Sequence, residues 1–311
     1  MKQKTGFRSR RVRQDCLAAL AFLAPNFLGF CVFVAFPVLF SLVMAFTNWD
    51  LTLHNELSRK PLEFVGLENF VQLAHDPKFS QYLYNTVFLM LGMPVAIGGS
   101  LLLAIVLSQK MRGIIAYRTM FYLPTITSGV ALFILWKALF NPEFGPINTV
   151  LRSLFDALHL GWSPPKWLLD VSWAKPAIMI MGIWTAIGSN NMLLYLAGIS
   201  NIPQELYEAA DIDGAASWSK FRHVTWPQLA PTTFFIIVMS TIGGLQGGFE
   251  QARVMTNGGP AGSTTTLSYY IYLKGFEDFQ LGYASAVAWT LFVMIFAMTL
   301  INWRFGNRAA E

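Results

Sequence analysis

The sequence predicts an all-α membrane protein with six transmembrane helices and with both chain termini in the cytoplasm. Three observations support this fold class: the composition, the spacing of the charged residues, and the unequal basic content of the loops. Of the 311 residues, 54% are hydrophobic and 13% are charged, whereas soluble domains carry about 25% charged residues. Much of the protein surface is therefore expected to face lipid.

Six stretches of the chain contain no Asp, Glu, Lys or Arg, and each is close to or above the length of a membrane span. One helical span needs about 20 apolar residues. The stretches contain 34, 31, 18, 29, 27 and 25 residues, and they are 16–49, 79–109, 119–136, 176–204, 223–249 and 279–303. The third reaches a full span if Lys137 extends its ammonium toward the interface and the helix continues to Phe140.

The predicted helices follow these stretches in order. They are 18–46, 82–108, 119–140, 177–198, 228–249 and 283–303. In the first helix, Pro25 and Pro37 predict kinks, which membrane helices tolerate when neighbouring groups satisfy the freed carbonyls. This stretch is about twice as long as the apolar region of a signal peptide, so a retained helix is predicted. Cys16 and Cys31 would lie about 22 Å apart along it, too far for a disulfide.

The loops alternate in basic content, which predicts the orientation in the membrane. With a cytoplasmic N-terminus, the inner segments are 1–17, 109–119, 199–229 and 304–311, and the outer segments are 48–81, 141–176 and 251–283. The inner segments hold 13 Lys and Arg in 67 residues, and the outer segments hold 8 in 103. This agrees with the positive-inside rule. Because the basic residues sort by loop rather than forming a patch, no nucleic-acid partner is expected.

The predicted organisation has four parts in a multi-pass protein of the cell (inner or plasma) membrane. They are a cytoplasmic tail at 1–17, a six-helix permease domain at 18–303, a cytoplasmic loop at 199–227 within that domain, and a cytoplasmic tail at 304–311.

The loop before the fifth helix is predicted to fold as two short helices. Pro203 suits the first turn of the first helix and Gly214 suits its end. Ser217 can cap the second helix, and Pro227 is expected to end it.

One face of this loop carries an apolar stripe at helical spacing. Its members are Tyr207, Ala210, Gly214, Trp218 and Phe221. Such a stripe on a cytoplasmic loop indicates a protein partner, or else packing on the protein's own bundle or membrane surface. The residues alone leave both interpretations open.

The same loop resembles the EAA motif of ABC importer permeases. Glu208-Ala209-Ala210 is followed by three residues, Gly214, nine residues and then Val224-Thr225-Trp226-Pro227. The motif reads EAA, three residues, Gly, nine residues and Ile-x-Leu-Pro. The spacing agrees, and Val224 and Trp226 replace Ile and Leu with other apolar residues.

Further segments resemble the carbohydrate-type permeases related to the maltose system. These segments are Phe46-Thr47-Asn48-Trp49-Asp50, Val65-Gly66-Leu67-Glu68-Asn69-Phe70, Leu123-Pro124, Ile212-Asp213-Gly214-Ala215, Asn257-Gly258-Gly259-Pro260 and Gly282-Tyr283-Ala284-Ser285-Ala286.

The resemblance implies an importer subunit whose EAA loop is a coupling helix that docks on a cytoplasmic ATPase dimer. The docking role is carried over to Glu208, Ala209, Ala210, Gly214 and Pro227, and on charge complementarity to Asp211, Asp213 and Arg222. The chain itself would hold no cofactor, because ATP and Mg²⁺ would bind to the ATPase. The other implied partners are a second, different permease subunit, an extracytoplasmic solute-binding protein and membrane lipid.

The implied solute is a sugar or a similar polyhydroxylated molecule: an oligosaccharide, monosaccharide, polyol or glycerol phosphate. Polar residues at membrane depth often mark a pathway, and the amides of Asn and Gln can bond sugar hydroxyls. The candidates are Ser189, Asn190, Asn191, Gln246 and Glu250, with Trp184 and Trp289 as stacking platforms. The alternative role is hydrogen bonding between helices for the polar residues, and packing or interfacial anchoring for the two tryptophans.

Two functions are possible for a group of glycines in the fifth predicted helix. Gly243, Gly244, Gly247 and Gly248 form two overlapping small-xxx-small pairs, which allow close helix packing. The alternative is a helix that bends or slides during transport.

Two other functions are left open by the residues. One is an ion-coupled secondary transporter. The other is a membrane-embedded glycosyl transferase that holds a metal with Asp211 and Asp213. The sequence contains no G-x-x-x-x-G-K-[ST] segment, so we expect no P-loop ATP hydrolysis by this chain and no enzymatic role.

Overall fold

The computed structural model describes residues 5–54, 60–109, 111–127 and 129–310. These ranges are helical and contain no β-strand, and Thr47 and Phe64 form an isolated antiparallel bridge. The chain divides into two compact units. One comprises 1–73 and 274–289, and the other comprises 74–273 and 290–311.

The first unit begins with a long apolar helix. Helix α1 (Thr5–Phe30) continues through a π turn (Cys31–Ala35) into α2 (Phe36–Met44). Helix α1 starts well before residue 18, where the sequence predicts the first helix to begin. The irregularity between the predicted proline kinks is the π turn, in which the Phe36 N–H donates to the Cys31 carbonyl. Pro37 has no N–H of its own, so the helix ladder is already interrupted one residue later.

Three of the segments that resemble sugar permeases meet in this first unit. The Asn69 amide, in the short helix α3 (Glu68–His75), donates to the carbonyls of Ala45 and Thr47, both at 2.9 Å. The Gly282 N–H donates to the Trp49 carbonyl at 2.9 Å. A Cβ at Gly282 would lie 2.2 Å from the Thr47 carbonyl oxygen, so only glycine fits there.

The second unit contains the remaining helices. They are α4 (Pro77–Met90), α5 (Met93–Ser108), α6 (Ile114–Ile126), α7 (Gly129–Leu139), α8 (Pro146–Ala157), α9 (Val171–Ile187), α10 (Asn190–Ser200), α11 (Gln204–Ile212), α12 (Ser217–Lys220), α13 (Trp226–Gln228), α14 (Ala230–Gln246), α15 (Phe249–Gln251) and α16 (Leu267–Tyr272). Helix α17 (Leu281–Ala310) follows; its residues up to Trp289 belong to the first unit and the later ones to the second. A 3-10 turn (Trp167–Leu169) and π turns (Phe221–Thr225, Ala252–Thr256 and Leu273–Glu277) complete the described elements.

Within the part of the chain that the structure describes, four helical segments are long and apolar enough to cross a membrane: Gln14–Met44, Pro77–Ser108, Val171–Ser200 and Leu281–Arg304. The number rises to six if each of two bent pairs is one span. The pairs are α6 with α7, and the segment Ser217–Gln228 with α14, which is bent by 63°. The all-helical fold is thus confirmed, and it offers four to six candidate spans. The fifth predicted helix, 228–249, corresponds to α14, which ends at Gln246.

Glycine and serine bring the helices of the second unit close together. A Cβ at Gly99 would lie 2.7 Å from Ile187, and one at Gly198 would lie 2.7 Å from Leu229. The Ser100 hydroxyl reaches the Ala186 carbonyl of a neighbouring helix at 3.1 Å. Such small residues at helix contacts are typical of membrane bundles.

Candidate functional site

The EAA segment folds around a helix end that the sequence predicts. Gly214, at φ +69°, adopts the left-handed conformation that terminates α11. The Gly214 N–H donates to the Asp211 carbonyl at 3.0 Å, and the Ala215 N–H donates to the Ala210 carbonyl at 2.9 Å. These two bonds form a Schellman motif, in which a left-handed glycine satisfies the last carbonyls of a helix.

The second helix of the segment differs from the prediction at both ends. Ser217 is the first helical residue, and Ala216 occupies the cap position without a side-chain bond. Pro227 does not end the helix, because it lies in the first turn of α13, directly after the π turn. Proline has no N–H to donate to the preceding turn, and the helix ends one residue later, at Gln228. The bend occurs at Leu229, which separates α13 from α14.

Most residues assigned to coupling are exposed on this segment. The exposed members are Glu208, Ala209, Asp211, Asp213, Gly214, Arg222 and Pro227, and Ala210 is half-buried. Asp211 forms an ion pair with Lys220, and the Tyr207 hydroxyl bonds the Thr225 hydroxyl at 2.9 Å. These contacts join α11 to the helix that follows it, so the two short helices form one connected surface.

The apolar stripe has two roles. Tyr207 and Phe221 are half-buried, and Phe221 packs against the cluster that joins α5, α10 and α14. Trp218 is 69% exposed and Ile212 is 88% exposed. The sequence-based stripe omitted Ile212, which is the last residue of α11. Its place inside the Ile-Asp-Gly-Ala segment was the available signal.

A cavity of about 240 Å³ lies between α4, α5, α9 and α14. All four glycines singled out in the sequence line it: Gly243, Gly244, Gly247 and Gly248. A Cβ at Gly244 would lie 3.0 Å from Met90, whereas one at Gly243 would meet nothing within 4 Å. Close packing therefore accounts for Gly244 and leaves Gly243 facing open space.

The predicted pathway residues do not form one site. Asn191 lines the cavity, but Ser189 caps α10 and donates to the Ala186 carbonyl at 2.6 Å. Asn190 accepts a hydrogen bond from Tyr122 at 3.2 Å. Asn190 thus makes a bond between helices, the alternative that the sequence left open, whereas Ser189 bonds only within its own turn.

Gln246 and Glu250 are exposed and are not among the lining residues. The sequence placed Glu250 in the fifth helix, whereas it follows α14 after two glycines that end the helix. Of the two tryptophans, Trp184 stacks edge-on against Trp136 at 5.4 Å, and Trp289 donates to Ser41 at 3.2 Å.

Four polar residues that the sequence did not single out line the cavity: Thr86, Ser240, Gln251 and Thr266. Thr86 and Ser240 lie on predicted helices, but an isolated hydroxyl in an apolar stretch carries little signal. Thr266 comes from a loop and approaches Gly248, where a Cβ would lie 2.4 Å from its methyl carbon. Only the tertiary structure brings these residues together.

Comparison with known proteins identifies the family. Residues 65–309 match the family described as binding-protein-dependent transport system inner membrane component. The chain belongs to this family. It is therefore a multi-pass protein of the inner membrane and a permease subunit of an ABC importer, as the EAA motif indicated. It is not an enzyme, since its relatives are permease subunits that work with a separate ATPase.

The similarity extends over most of the permease. The probable ABC transporter permease protein YesP of Bacillus subtilis is 36% identical over 300 residues, which cover 94% of this chain and 92% of YesP. The lactose transport system permease protein LacF of Rhizobium radiobacter is 38% identical over 287 residues, covering 90% and 91% of the two chains. A bacterial ABC transporter involved in the import of the acidic polysaccharide alginate has a chain with a TM-score of 0.82 and 25% identity, covering 97% and 99%.

Proposed function

We propose that this permease imports a sugar or a similar polyhydroxylated solute by alternating access, coupled to ATP hydrolysis in a separate ATPase pair. A second, different permease subunit would complete the membrane bundle, and an outer binding protein would deliver the solute. ATP and Mg²⁺ would bind only to the ATPase. The observation that carries the proposal is the exposed EAA segment with the Schellman turn at Gly214.

The docking surface proposed for the ATPase comprises 204–228. Ile212 and Trp218 offer apolar area, 88% and 69% exposed, on either side of the turn. Exposed apolar area with a polar rim is typical of protein interfaces. The charges of Glu208, Asp213 and Arg222 surround it, all exposed. Phe221 packs against the cluster that joins α5, α10 and α14, so movement of the docked segment can reach the bundle.

The ion pair between Asp211 and Lys220 argues against the glycosyl transferase. A metal bound by Asp211 and Asp213 would compete with the lysine for the Asp211 carboxylate. The family assignment also favours the importer over the ion-coupled secondary transporter.

For the solute pathway, we propose the glycine-lined cavity, with Asn191, Ser240, Gln251 and Thr266 as its hydrogen-bonding groups. Their hydroxyls and amides can both donate to and accept from a polyhydroxylated solute. Thr86 also lines the cavity, but its hydroxyl donates to the Tyr82 carbonyl at 2.8 Å and accepts from the Leu267 N–H at 3.0 Å. The open space beside Gly243 leaves room for the helix to shift when the permease changes between its inward-facing and outward-facing states.

We also propose that the six helices cross the membrane with the N- and C-termini in the cytoplasm. The tail 1–17 and loop 199–227 would then be cytoplasmic, as would the tail 304–311. This orientation rests on the basic content of the loops and places 141–176 outside.

The docking surface can be tested by disulfide or maleimide cross-linking. Replacing the two native cysteines, Cys16 and Cys31, gives a background without thiols. New cysteines at Ile212 and Trp218 are expected to cross-link to a co-purified ABC ATPase.

A cysteine at Ser153, an exposed position of α8, is the matched control and should give no ATPase adduct. Mass spectrometry of the adducts identifies the partner. Adducts at Ser153 but not at Ile212 or Trp218 would contradict the proposed docking surface.

A further inference from the structure

A second cavity, of about 420 Å³, lies where the end of α7 meets the π turn Ala252–Thr256. Its volume falls in the range of ligand sites, about 300–1,000 Å³. Lys137 and Arg253 line it, and none of its lining residues carries a carboxylate. The cavity therefore presents positive charge without an acidic residue of its own.

Neither cation is neutralised by an ion pair among the residues that the structure describes. The ion pairs found there are Lys220 with Asp211 and Lys274 with Asp278. The Arg253 guanidinium lies 4.4 Å from the ring centre of Tyr272 and 5.8 Å from that of Phe249. Aromatic faces can hold a cation without cancelling its charge, so Arg253 remains available to an anion.

Two asparagines add hydrogen-bond donors to the same wall. The Asn141 side-chain oxygen accepts from the backbone N–H groups of Glu143 at 2.9 Å and Phe144 at 3.1 Å. The Asn257 oxygen accepts from the Tyr269 hydroxyl at 2.8 Å. Because the fold uses both amide oxygens, the amide NH₂ ends remain as donors.

The rest of the cavity is apolar. Phe140, Leu168 and Met255 line it and belong to the buried core cluster beneath. Ligand sites commonly combine apolar walls with a few polar groups that fix orientation. Cations and N–H donors select a carboxylate or phosphate, and the apolar wall suits the carbon face of a sugar ring.

We propose that this cavity binds the acidic group, carboxylate or phosphate, of an anionic sugar before it enters the membrane. The inference rests on the proposed import function and on the orientation that places 141–176 and 251–283 outside. The inference narrows the solute class to acidic sugars. The relatives leave that class open, because one is a lactose permease and another importer takes an acidic polysaccharide.

The test compares sugars that differ only in charge. The permease is purified in phosphatidylcholine nanodiscs with the subunits that accompany it, without the binding protein. Saturation-transfer NMR is recorded with D-galacturonate against D-galactose, and with glucose 6-phosphate against glucose. We expect a clear signal for at least one acid and little for its neutral counterpart.

Variants assign the signal to the cavity. Lys137→Gln with Arg253→Gln should weaken binding of the acid by about tenfold or more, since each charge-assisted hydrogen bond contributes a comparable factor. Lys166→Gln is the control, because Lys166 is an exposed cation outside the lining. Lys137 and Arg253 are also exposed, so the substitutions leave the core intact.

Three results would overturn the inference. The first is no preference for either acid, or a preference unchanged in the double variant. The second is that the wild type retains phosphatidylglycerol and shows no acid signal, while the double variant does not retain the lipid. That result would assign the cavity to a lipid headgroup. The third is that the double variant keeps the acid signal but its ATPase is no longer stimulated by the binding protein. That result would mean that Lys137 and Arg253 contact the binding protein and not the sugar.

Failure of the inference is distinguishable from failure of the import function. If no ATPase accompanies the chain, the import function fails, yet binding of the acid can still be measured. If the complete system imports only neutral sugars, the import function holds and the inference fails.

Discussion

Two regions of the permease depend on glycine for different physical reasons. In the EAA segment, Gly214 has a positive φ and no atom within 4 Å of where its Cβ would be. In the segment 243–248, Gly248 also has a positive φ, but its Cβ would lie 2.4 Å from Thr266. The first glycine is required by backbone conformation alone and faces outward. The second is required by conformation and by space, and it closes the wall of a cavity.

The difference predicts that substitutions affect different properties of the protein. A side chain at Gly214 has room and meets only the backbone cost of the left-handed conformation, so the permease should stay folded while losing contact with its partner. A side chain at Gly248 has no room, so the permease itself should be destabilised.

The largest expected effect is on transport in Gly214→Asp. The substitution adds bulk and charge to the proposed docking surface, so solute uptake should fall by about tenfold or more, the size of a hot-spot loss. Membrane insertion should be unchanged, and the melting temperature should fall only slightly, because aspartate adopts the left-handed conformation more readily than most residues do. Uptake by the reconstituted importer and thermal unfolding in detergent measure the two properties.

Gly214→Asn is the matched control for charge. Asparagine tolerates the left-handed conformation about as well as aspartate does, but it is neutral. It should keep more transport than Gly214→Asp. Wild-type uptake in the Asp variant would mean that this turn does not dock.

The next effect is on stability in Gly248→Ala. The left-handed backbone costs a non-glycine residue about 1–2 kcal/mol, and the contact with Thr266 adds to that. A lower melting temperature is expected by intrinsic fluorescence.

Gly243→Ala is the comparison, because it lines the same cavity in a helix with open space around its Cβ. Replacing a helical glycine by alanine stabilises by roughly 0.5–1 kcal/mol. If both alanine variants melt alike, space is not what the second region requires.

A smaller effect is expected for Asn191→Leu. If Asn191 bonds the solute in the cavity, its loss should lower uptake by about fivefold, the value of one hydrogen bond. Cross-linking of Ile212 to the ATPase should be unchanged.

The neighbouring change Asn190→Leu removes a bond to Tyr122 instead of a cavity group. The sequence predicts impaired translocation for it, and the structure predicts a smaller loss than for Asn191→Leu. The reverse order of uptake rates would move the pathway toward Asn190, and lost ATPase docking in either variant would refute its pathway role.

The smallest effect is expected from Asp211→Asn. The ion pair with Lys220 is exposed, with 61% of the Asp211 side chain accessible. Exposed pairs contribute about 0.2–1 kcal/mol, so stability should hardly change. A double-mutant cycle with Lys220→Met measures the coupling, and a much larger value would make this pair a structural lock of the segment.

The sequence by itself determined the class of this protein, because a membrane span and a helix-ending glycine are local properties. Charge-free stretches, basic loops and the EAA spacing need no knowledge of neighbours, and they led to an all-helical permease with the turn at Gly214. The same local reasoning was wrong by one residue at each end of the second short helix, at Ser217 and at Pro227, because the last residue of a helix depends on contacts outside the local sequence.

The tertiary structure alone decided which polar residues share a cavity. Asn190 and Asn191 are adjacent in sequence, yet one bonds Tyr122 and the other lines the cavity. Lys137 and Arg253 are far apart in sequence and line a second cavity together. Such groupings depend on contacts between distant helices, which the pattern of a single helix does not encode.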